Sequence, residues 1–337
     1  MAVNEDTILL FTDCLEDAAM TLYYASINED VDNTAVTNYN RQKGRLNFYI
    51  CLLKIVDYFL DDIDLKLIDD EALDKINKSL EKLRNHIEEN GLNAEEVRRA
   101  LLLLDIKGFK NINFSLDLIT PDAIAMVCAH LVSAMKEEEL TILDPNFGVG
   151  NLMFTVCNNV DKNIHLVGIE DHPLLSSVAS MKANLMQTYV DIYNEDCLKH
   201  TMNECDLVLS DLASFDYEEP LDLELSKKGV KYFPYLVIEH LLSIKKKCKY
   251  IYLIDNDFFS KKDCNVFKEM LAKKGRILGL ISLPTTMFVD PQFAKSIIVL
   301  DNTVDQNQHT DIYQLPSIEK KEDFYKVLTE AKTLMSK

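Results

Sequence analysis

The chain has 337 residues, with 55 Asp or Glu against 36 Lys or Arg, so its net charge at pH 7 is −19. This length accommodates two domains, and an apolar fraction of 47% excludes a wholly disordered chain. No apolar run approaches the roughly 18 residues of a membrane helix, and the N-terminus lacks the basic start of a signal peptide. We therefore expect a cytoplasmic globular protein that makes no membrane contact. The excess of acids also opposes binding to duplex DNA, unless positive charge is locally concentrated.

The eight cysteines are scattered along the chain, with no Cys-x-x-Cys and no paired histidines. This spacing predicts small core residues and gives no sign of a disulfide framework or a zinc site. We therefore expect no metal ion in the functional site.

Residues 1–112 are predicted to be almost wholly helical. Apolar side chains recur every three or four residues in 46–63 and again in 71–90, as one buried helix face requires. Asn93 and, three residues later, Glu96 are typical of a capping box at the start of a further helix. We expect these helices to bind a protein partner or a second copy of the chain.

The stretch 28–44 has many Asn and Asp residues and no apolar periodicity, so it predicts a surface loop. The residues between 108 and 113 are the candidate boundary of the helical region. We therefore divide the chain into a helical N-terminal domain, 1–112, and a second domain, 113–337.

Strands and helices are predicted to alternate in the second domain. A helix is expected to begin at Thr120-Pro121, where Thr120 can cap and Pro121 fits the first turn. The alternation is typical of an α/β protein with a doubly wound, seven-stranded, mostly parallel sheet. Strands are predicted at 140–143, 164–170, 189–193, 205–211, 250–254, 277–283 and 296–300, followed by a short strand at 311–314 and a helix at 321–335.

A glycine loop follows the first of these strands. The strand ends in Asp144, and the loop holds Gly148 and Gly150 before an apolar helix start at Leu152. Such a strand, turn and helix present backbone N–H groups to a small ligand, although Gly-x-Gly also occurs in ordinary turns. The glycines alone leave both interpretations open.

Acidic residues stand at four strand ends, namely Asp144, Glu170, Asp196 and Asp211. In a doubly wound sheet, ligands lie beyond the carboxyl ends of the strands. A dinucleotide needs a third glycine where this chain has Met153. S-adenosylmethionine instead offers an ammonium group, a ribose diol and an adenine amine, which match the first three acids in order. Each acid alone also fits an ordinary turn residue at a strand end.

Several short motifs together carry a family resemblance. They are Thr-Pro at 120–121, Asp-Pro-Asn-Phe-Gly-Val-Gly-Asn at 144–151, Gly-Ile-Glu at 168–170, Asn-Glu-Asp at 194–196, and Leu-Pro followed by Lys-Ser within 283–296. The region from about 115 to 302 resembles class I S-adenosylmethionine-dependent methyltransferases of the adenine-N6 DNA methylase type. The resemblance is strongest to the methylation subunits of type I restriction systems and to a related stand-alone bacterial group. It implies a Rossmann-like methyltransferase sheet.

The resemblance also implies S-adenosylmethionine as the cofactor. By this resemblance, Thr120 would lie beside the methionine carboxylate of the cofactor, Glu170 would bind its ribose, and Asp196 would bind its adenine. Asn146 and Phe147 replace the usual Ala-Cys of the family. The implied cofactor-binding residues are Thr120, Asp144, Asn146, Phe147, Gly148, Gly150, Asn151, Leu152, Glu170, Asp171, Asp196 and Cys197.

The catalytic motif of the family is altered in this chain. In the family, Asn or Asp is followed by two prolines and an aromatic residue. The first side chain and a backbone carbonyl accept hydrogen bonds from the target amine, and the ring stacks on the target base. This chain reads Asp-Leu-Ala-Ser at 211–214. The resemblance therefore assigns catalysis to Asp211, with Phe215 or Tyr217 in place of the missing ring. The alternative is that Phe215 packs into the core.

The residues around this motif disfavour a nucleic acid that the protein binds by itself. Five carboxylates lie within 216–224, and charges within roughly 8 Å of a phosphate are felt at physiological ionic strength. The lysine-rich run 245–249 is typical of a solvated turn. We therefore expect a nucleic acid substrate only where a partner presents it.

Three functions are compatible with the sequence. The first is methyl transfer to a nitrogen nucleophile that Asp211 positions. The second is S-adenosylmethionine binding without transfer, in an interaction or regulatory protein. The third, a nicotinamide-dependent oxidoreductase, is disfavoured by Met153 and by the lack of an obvious proton relay.

Overall fold

The computed structural model divides the chain into two compact units. One unit comprises Met1–Leu116 and Ser177–Thr188, and the other comprises Asp117–Ser176 and Tyr189–Lys337. The domain boundary at residue 112 stays a prediction. The structure describes residues 3–29, 47–61, 65, 69–201, 204–244, 246–288, 290–303 and 309–336.

The first unit is helical within its described residues. The predicted capping box is confirmed, because the Asn93 side chain accepts from the Glu96 N–H and the Glu96 carboxylate accepts from the Asn93 N–H. Ile63 and most of the predicted loop 28–44 lie outside the described residues. The helices are α1 (Glu5–Glu29), α2 (Phe48–Asp61), α3 (Asp70–Asn90) and α4 (Ala94–Asn111), and α1 packs against the other three.

A buried cluster explains why α4 continues past Gly108, the first residue of the candidate boundary at 108–113. Gly108 lies inside α4, and a Cβ there would come within 2.4 Å of the Tyr49 ring. The Tyr49 hydroxyl donates to the Asp105 carboxylate at 3.2 Å, and the Lys182 ammonium group donates to it at 2.5 Å. All three of these side chains are buried. Gly108 is therefore a packing requirement of this cluster and does not end the helix.

The second unit is built on one sheet, whose strands run in the order β3-β2-β1-β4-β5-β7-β6-β8. β7 is antiparallel to both of its neighbours, and the other pairs are parallel. The α/β class is confirmed, but the predicted count of seven strands is wrong, because Asp311–Gln314 adds a parallel strand beside β6. The strands are β1 (Glu139–Asp144), β2 (Asn163–Ile169), β3 (Val190–Tyr193), β4 (Leu207–Asp211), β5 (Lys249–Asp255), β6 (Arg276–Ser282), β7 (Lys295–Asp301) and β8 (Asp311–Gln314).

The helix before β1 begins later than the sequence suggests. Pro121 is its N-cap, and no side chain caps it. The prediction that Thr120 caps this helix is wrong, because the Thr120 hydroxyl donates to Asp211 instead. The later helices are α5 (Asp122–Val132), α6 (Asn151–Asn159), α7 (Pro173–Met186), α8 (Glu224–Lys227), α9 (Phe233–Leu241), α10 (Cys264–Lys274), α11 (Lys321–Ala331) and α12 (Thr333–Ser336).

Two further sequence expectations concern apolar residues. Seven of the eight cysteines are buried, as predicted for core residues, whereas Cys157 is only partly buried. In the part of the chain that the structure describes, none of the helices has the length and apolar character needed to cross a bilayer.

The order of the strands reverses between β1 and β4, and this is the position at which doubly wound sheets place their ligands.

Candidate functional site

The four acids at strand ends lie along one edge of the sheet. Asp144 and Asp211 are the last residues of β1 and β4, Glu170 follows β2, and Asp196 comes three residues after β3. The strand order places them in the row Asp196, Glu170, Asp144, Asp211. Neighbouring strands lie about 4.8 Å apart, so the row has the length of a small organic molecule.

The glycine loop, residues 145–150, joins β1 to α6 at the centre of this row. Gly148 and Gly150 have φ values of 56° and 76°, which side chains other than glycine rarely adopt. The Gly148 N–H donates to the Glu170 carboxylate at 2.8 Å, so the end of β2 holds the loop in place. No side chain caps the start of α6. The loop and the helix start therefore present backbone groups beside two of the acids.

Phe147 fixes the glycine loop through a buried aromatic ring. Its ring is 4% exposed and packs edge-to-face on the Phe154 ring, with 5.7 Å between the centroids. A Cβ on Gly168 would come within 2.3 Å of the Phe147 ring, and a Cβ on Gly150 would come within 2.7 Å of it. The large ring at this position therefore requires glycine at both neighbouring positions.

The close approach of Phe147 and Gly168 gives a first prediction. Gly168→Ala is expected to destabilise the second unit by about 1–3 kcal/mol, because the added methyl group overpacks against the ring. Phe147→Ala alone is expected to cost about 3–5 kcal/mol through the cavity that it leaves. In the double variant the methyl group fills part of that cavity, so the loss measured by urea unfolding should be smaller than the sum.

A control exists in the same unit. Gly229 has φ 82°, and a Cβ there would meet nothing within 4 Å. Gly229→Ala should therefore add to Phe147→Ala without coupling. Equal non-additivity in both pairs would show that the contact between Phe147 and Gly168 is not the cause.

Asp144 and Glu170 are buried acids that form no ion pair among the described residues. Asp144 Oδ1 accepts from the Ser210 hydroxyl at 2.6 Å and from the Asn146 N–H at 2.9 Å. Its Oδ2 accepts from no described residue. Burial raises the pKa of Asp144 to about 7 and the pKa of Glu170 to about 7, against the opposing effect of their hydrogen bonds. This arrangement favours a cationic ligand that donates to Asp144.

Asp196 already has an internal partner. Its Oδ2 accepts from the Tyr217 hydroxyl at 2.6 Å, and its Oδ1 accepts from the Leu198 N–H at 2.9 Å. Burial and the hydrogen bond to Asp196 raise the pKa of Tyr217 to about 12. The neighbouring Cys197 is buried, whereas Asp171 beside Glu170 is exposed. An amine that binds Asp196 must therefore share the carboxylate with the Tyr217 hydroxyl or displace that hydroxyl.

Both oxygens of Asp211 accept internal hydrogen bonds. The Thr120 hydroxyl donates to Oδ2 at 2.8 Å, and the Lys295 ammonium group donates to Oδ1 at 2.5 Å. Burial alone would lower the pKa of Lys295, but the charge of Asp211 and the hydrogen bond to it leave that pKa raised. The Leu212 N–H donates to the Leu253 carbonyl at 3.2 Å. A proline at position 212, as in the motif that the sequence resembles, would lack this donor, so here a hydrogen bond to β5 fixes the backbone instead.

The aromatic residue after this motif is only half buried. Phe215 is 47% exposed, and its ring stacks on the Phe233 ring with 4.4 Å between centroids. The alternative that Phe215 packs into the core is therefore wrong. The Ser214 hydroxyl donates to the Tyr232 hydroxyl at 3.1 Å. Phe215 thus keeps an exposed surface four residues after Asp211.

Lysines neutralise most of the acidic stretch 216–224. Lys199 and Lys231 pair with Glu219 and Glu218. Lys227 pairs with Asp222, and Lys228 and Lys273 pair with Glu224. In the run 245–249, Lys246 pairs with Asp206 at 2.6 Å. The repulsion of phosphate expected from the acids alone is therefore reduced.

A small cavity joins the glycine loop to Asp211. Its volume is about 20 Å³, far below the roughly 300–1,000 Å³ of small-molecule sites. The Asn151 side chain donates to the Thr120 carbonyl at 2.8 Å and ties the loop to the segment before α5. A ligand therefore needs this edge of the sheet to widen. The cavity is lined by Leu118, Ile119, Thr120, Asp144, Asn146, Phe147, Val149, Asn151, Leu152 and Asp211.

Comparison with known proteins assigns the family. No protein-family model matches the chain. The chain is 32% identical over 241 residues to YtxK of Bacillus subtilis strain 168, a protein described as uncharacterized. The match covers 68% of this chain and 72% of YtxK. The chain belongs to the YtxK family.

Solved structures show the fold of this YtxK-family chain. A Listeria monocytogenes protein, provisionally described as a class I S-adenosylmethionine-dependent methyltransferase, matches with a TM-score of 0.79 at 23% identity, over 98% of this chain and 100% of that one. The methyltransferase subunit of a type I restriction-modification system from Streptococcus thermophilus matches with a TM-score of 0.59 at 14% identity, over 97% and 87%. The expected class I methyltransferase fold is confirmed.

Sequence patterns do not predict three residues that contribute to the site. Ser210 donates to Asp144, Tyr217 donates to Asp196, and Lys295 pairs with Asp211. Lys295 belonged to a recognised motif, but its partner lies 84 residues away in sequence. For Tyr217, the sequence predicts only a stacking role. Neither pairing has a local sequence signal, because both depend on how the strands are ordered.

Proposed function

We propose that this YtxK-family protein binds S-adenosylmethionine along the row of acids and transfers its methyl group to a nitrogen nucleophile at Asp211. The observation that carries the proposal is the buried Asp144 carboxylate, whose Oδ2 accepts from no described residue. It lines a cavity that also reaches the glycine loop and Asp211. A cationic hydrogen-bond donor suits that position, because it compensates a buried charge that is otherwise costly.

The hydrogen-bond acceptors of the site fit this cofactor. Asp144 would accept from the ammonium group, Glu170 from the ribose hydroxyls, and Asp196 from the adenine amine once Tyr217 moves aside. The glycine loop would approach the cofactor through its backbone, and Asn151, Leu152, Asp171 and Cys197 would border it. When bound, the cofactor supplies an electrophilic methyl group on a positively charged sulfur.

The residues of the chain would position the acceptor. Asp211 and the backbone carbonyl of Leu212 would accept hydrogen bonds from the N–H groups of the methyl acceptor. These bonds would orient the lone pair of its nitrogen, which is a positioning effect. The exposed surface of Phe215 offers a stacking area for a planar acceptor. A nucleic acid base presented by a partner meets these requirements, and the N-terminal helices are our candidate partner-binding or dimerisation region.

A second function is favoured by one specific observation. Thr120 and Lys295 each donate to one oxygen of Asp211, the side chain that would orient the methyl acceptor. A protein that binds S-adenosylmethionine as a signal or structural ligand, without transferring its methyl group, has no need of a free Asp211. Cofactor binding is common to the two functions, and methyl transfer separates them.

Calorimetric titration with S-adenosylmethionine and, separately, with NAD tests the cofactor. We expect binding of S-adenosylmethionine and none of NAD. At a hundredfold excess over its dissociation constant, the bound ligand should stabilise the protein by about 2.7 kcal/mol, which a thermal-shift assay detects. Binding of NAD alone would overturn the proposal and support the oxidoreductase alternative.

A further inference from the structure

Each oxygen of Asp211 accepts one internal hydrogen bond, and the Lys295 ammonium group neutralises the charge that would attract the N–H groups of a methyl acceptor. The Lys295 and Asp211 side chains are 15% and 14% exposed, and Thr120 is buried on the other oxygen. We propose that Lys295 is a positioning residue that exchanges partners. It holds Asp211 until the carboxylate of S-adenosylmethionine takes its ammonium group, and this exchange releases Asp211 for the acceptor. The inference rests on the proposed function and adds the residue that couples the cofactor to the acceptor.

The charges around the cavity give the first reason. The side chains that line it include the carboxylates of Asp144 and Asp211 and no basic group. The amino-acid end of the cofactor brings a carboxylate as well as an ammonium group. Burying that carboxylate without a cation is strongly unfavourable. Lys295 supplies a cation, because its ammonium group already donates to a side chain that lines the cavity.

The strand order gives the second reason. Asp196 and Glu170 lie on the β3 and β2 side of β1, whereas Asp211 lies on the β4 side. If the adenosine occupies the first two acids, the amino-acid end extends past Asp144 towards Asp211. The carboxylate then arrives at the position where Thr120 and Lys295 donate. Both donors can move to it from Asp211, since they already lie on the same carboxyl group.

The chemistry of the lysine permits this exchange. Its ammonium group has three N–H donors on a flexible stem, so it can turn from one carboxylate to another without leaving the site. The net effect of Asp211 is to raise the pKa of Lys295, so the group is charged at neutral pH. The order of events follows, because Asp211 presents its full charge to the N–H groups of the methyl acceptor only after the cofactor has drawn Lys295 away.

The test compares two ligands in full-length Lys295→Met protein. S-adenosylhomocysteine carries the carboxylate and ammonium group without the sulfonium charge, and 5′-methylthioadenosine lacks the amino-acid end. We expect Lys295→Met to weaken S-adenosylhomocysteine by about ten- to hundredfold, the size of a hydrogen bond to a charged group. Binding of 5′-methylthioadenosine should stay unchanged, and Lys295→Arg should recover part of the loss.

A second variant tests the exchange without removing the lysine. Asp211→Asn removes the ion pair, so Lys295 no longer has to leave a charged partner. We expect this variant to bind S-adenosylhomocysteine several-fold more tightly than the native protein does. Lys274→Met is the matched control, because Lys274 is a half-buried lysine that pairs with the buried Glu239 and does not line the cavity. It should change neither affinity.

Three results would overturn the inference. Equal weakening of both ligands in Lys295→Met would mean that the lysine only supports the fold. Unchanged or tighter binding of S-adenosylhomocysteine in Lys295→Met would mean that its carboxylate gains nothing from the Lys295 ammonium group. Unchanged or weaker binding in Asp211→Asn would show that the ion pair does not compete with the ligand. If the native protein binds no adenosine ligand at all, the proposed function itself fails, which is a distinct outcome.

Discussion

Raising the pH from about 4 to about 7 is expected to lower the contribution of Asp144 and Glu170 to the free energy of unfolding of the ligand-free protein by several kcal/mol. The cause is the burial of Asp144 and Glu170, whose pKa values rise from 3.8 and 4.5 to about 7. Each pKa unit corresponds to about 1.4 kcal/mol, so the effect is about 3 kcal/mol for each acid. Circular dichroism with urea at a series of pH values measures it.

The direction follows from proton uptake. Between pH 4 and 7 the unfolded chain has released protons that the folded protein still holds on these two carboxyls. Stability therefore falls as the pH rises, and the contribution is fully present only below the unfolded pKa values. This is opposite to the usual case of a salt-bridged carboxylate, whose contribution is lost as the pH falls.

Asp144→Asn is the variant that isolates the effect. The amide oxygen can still accept from Ser210 and Asn146, but the side chain no longer ionises. As the pH rises towards 7, the free energy of unfolding should therefore fall more in the native protein than in the variant. Parallel stability curves would show that Asp144 ionises without cost in the folded protein. Asp191→Asn, at a half-exposed carboxylate in β3, serves as the control.

The same charge governs ligand affinity. A cationic ligand binds best to the ionised acids, so the affinity for S-adenosylmethionine should increase as the pH rises through about 7. It should fall again above about 8, where the α-amino group of the ligand loses its proton. Asp144→Asn should weaken binding and flatten the rising part of this profile.

The sequence predicted the sheet well because buried strands and glycine turns are local signals. β1 with its loop, and the acids at four strand ends, follow from apolar runs and from the rule that parallel strands end at one edge. The eighth strand was predicted as a short strand, but not as a member of the sheet. Its pairing with β6 is non-local, and no pattern inside 311–314 indicates a partner.

The candidate site was predictable in its acids and not in their partners. Gly108 and Thr120 are instructive, since a glycine in a helix and a threonine before Pro121 have default local readings. The Tyr49 ring and the Asp211 carboxylate override those readings through contacts that join residues 59 and 91 positions apart. For the same reason, the sequence could not show that Asp211 and Asp196 already have donors.

Asp211→Ala is expected to lower methyl transfer by about a hundred- to a thousandfold, the usual cost of removing a positioned acceptor or donor at a reacting group. Asp211→Asn should retain transfer within about tenfold, because the amide oxygen still accepts from an acceptor N–H. The assay follows labelled methyl groups from S-adenosylmethionine into DNA and into fractions of a cell extract. Thermal melting of each variant checks the fold, since Asp211→Ala leaves the Lys295 ammonium group without its partner.

This pair of variants separates the two functions. Asp216→Asn, at an exposed carboxylate in the acidic stretch, is the control and should transfer as the native protein does. Transfer that survives Asp211→Ala would show that another residue positions the acceptor. The native protein could also bind the cofactor and transfer no labelled methyl group to DNA or to any extract fraction. This result would favour the second function, in which Lys295 stays paired with Asp211. The protein would then bind S-adenosylmethionine without transferring its methyl group, and the missing prolines after Asp211 would mark the loss of catalysis.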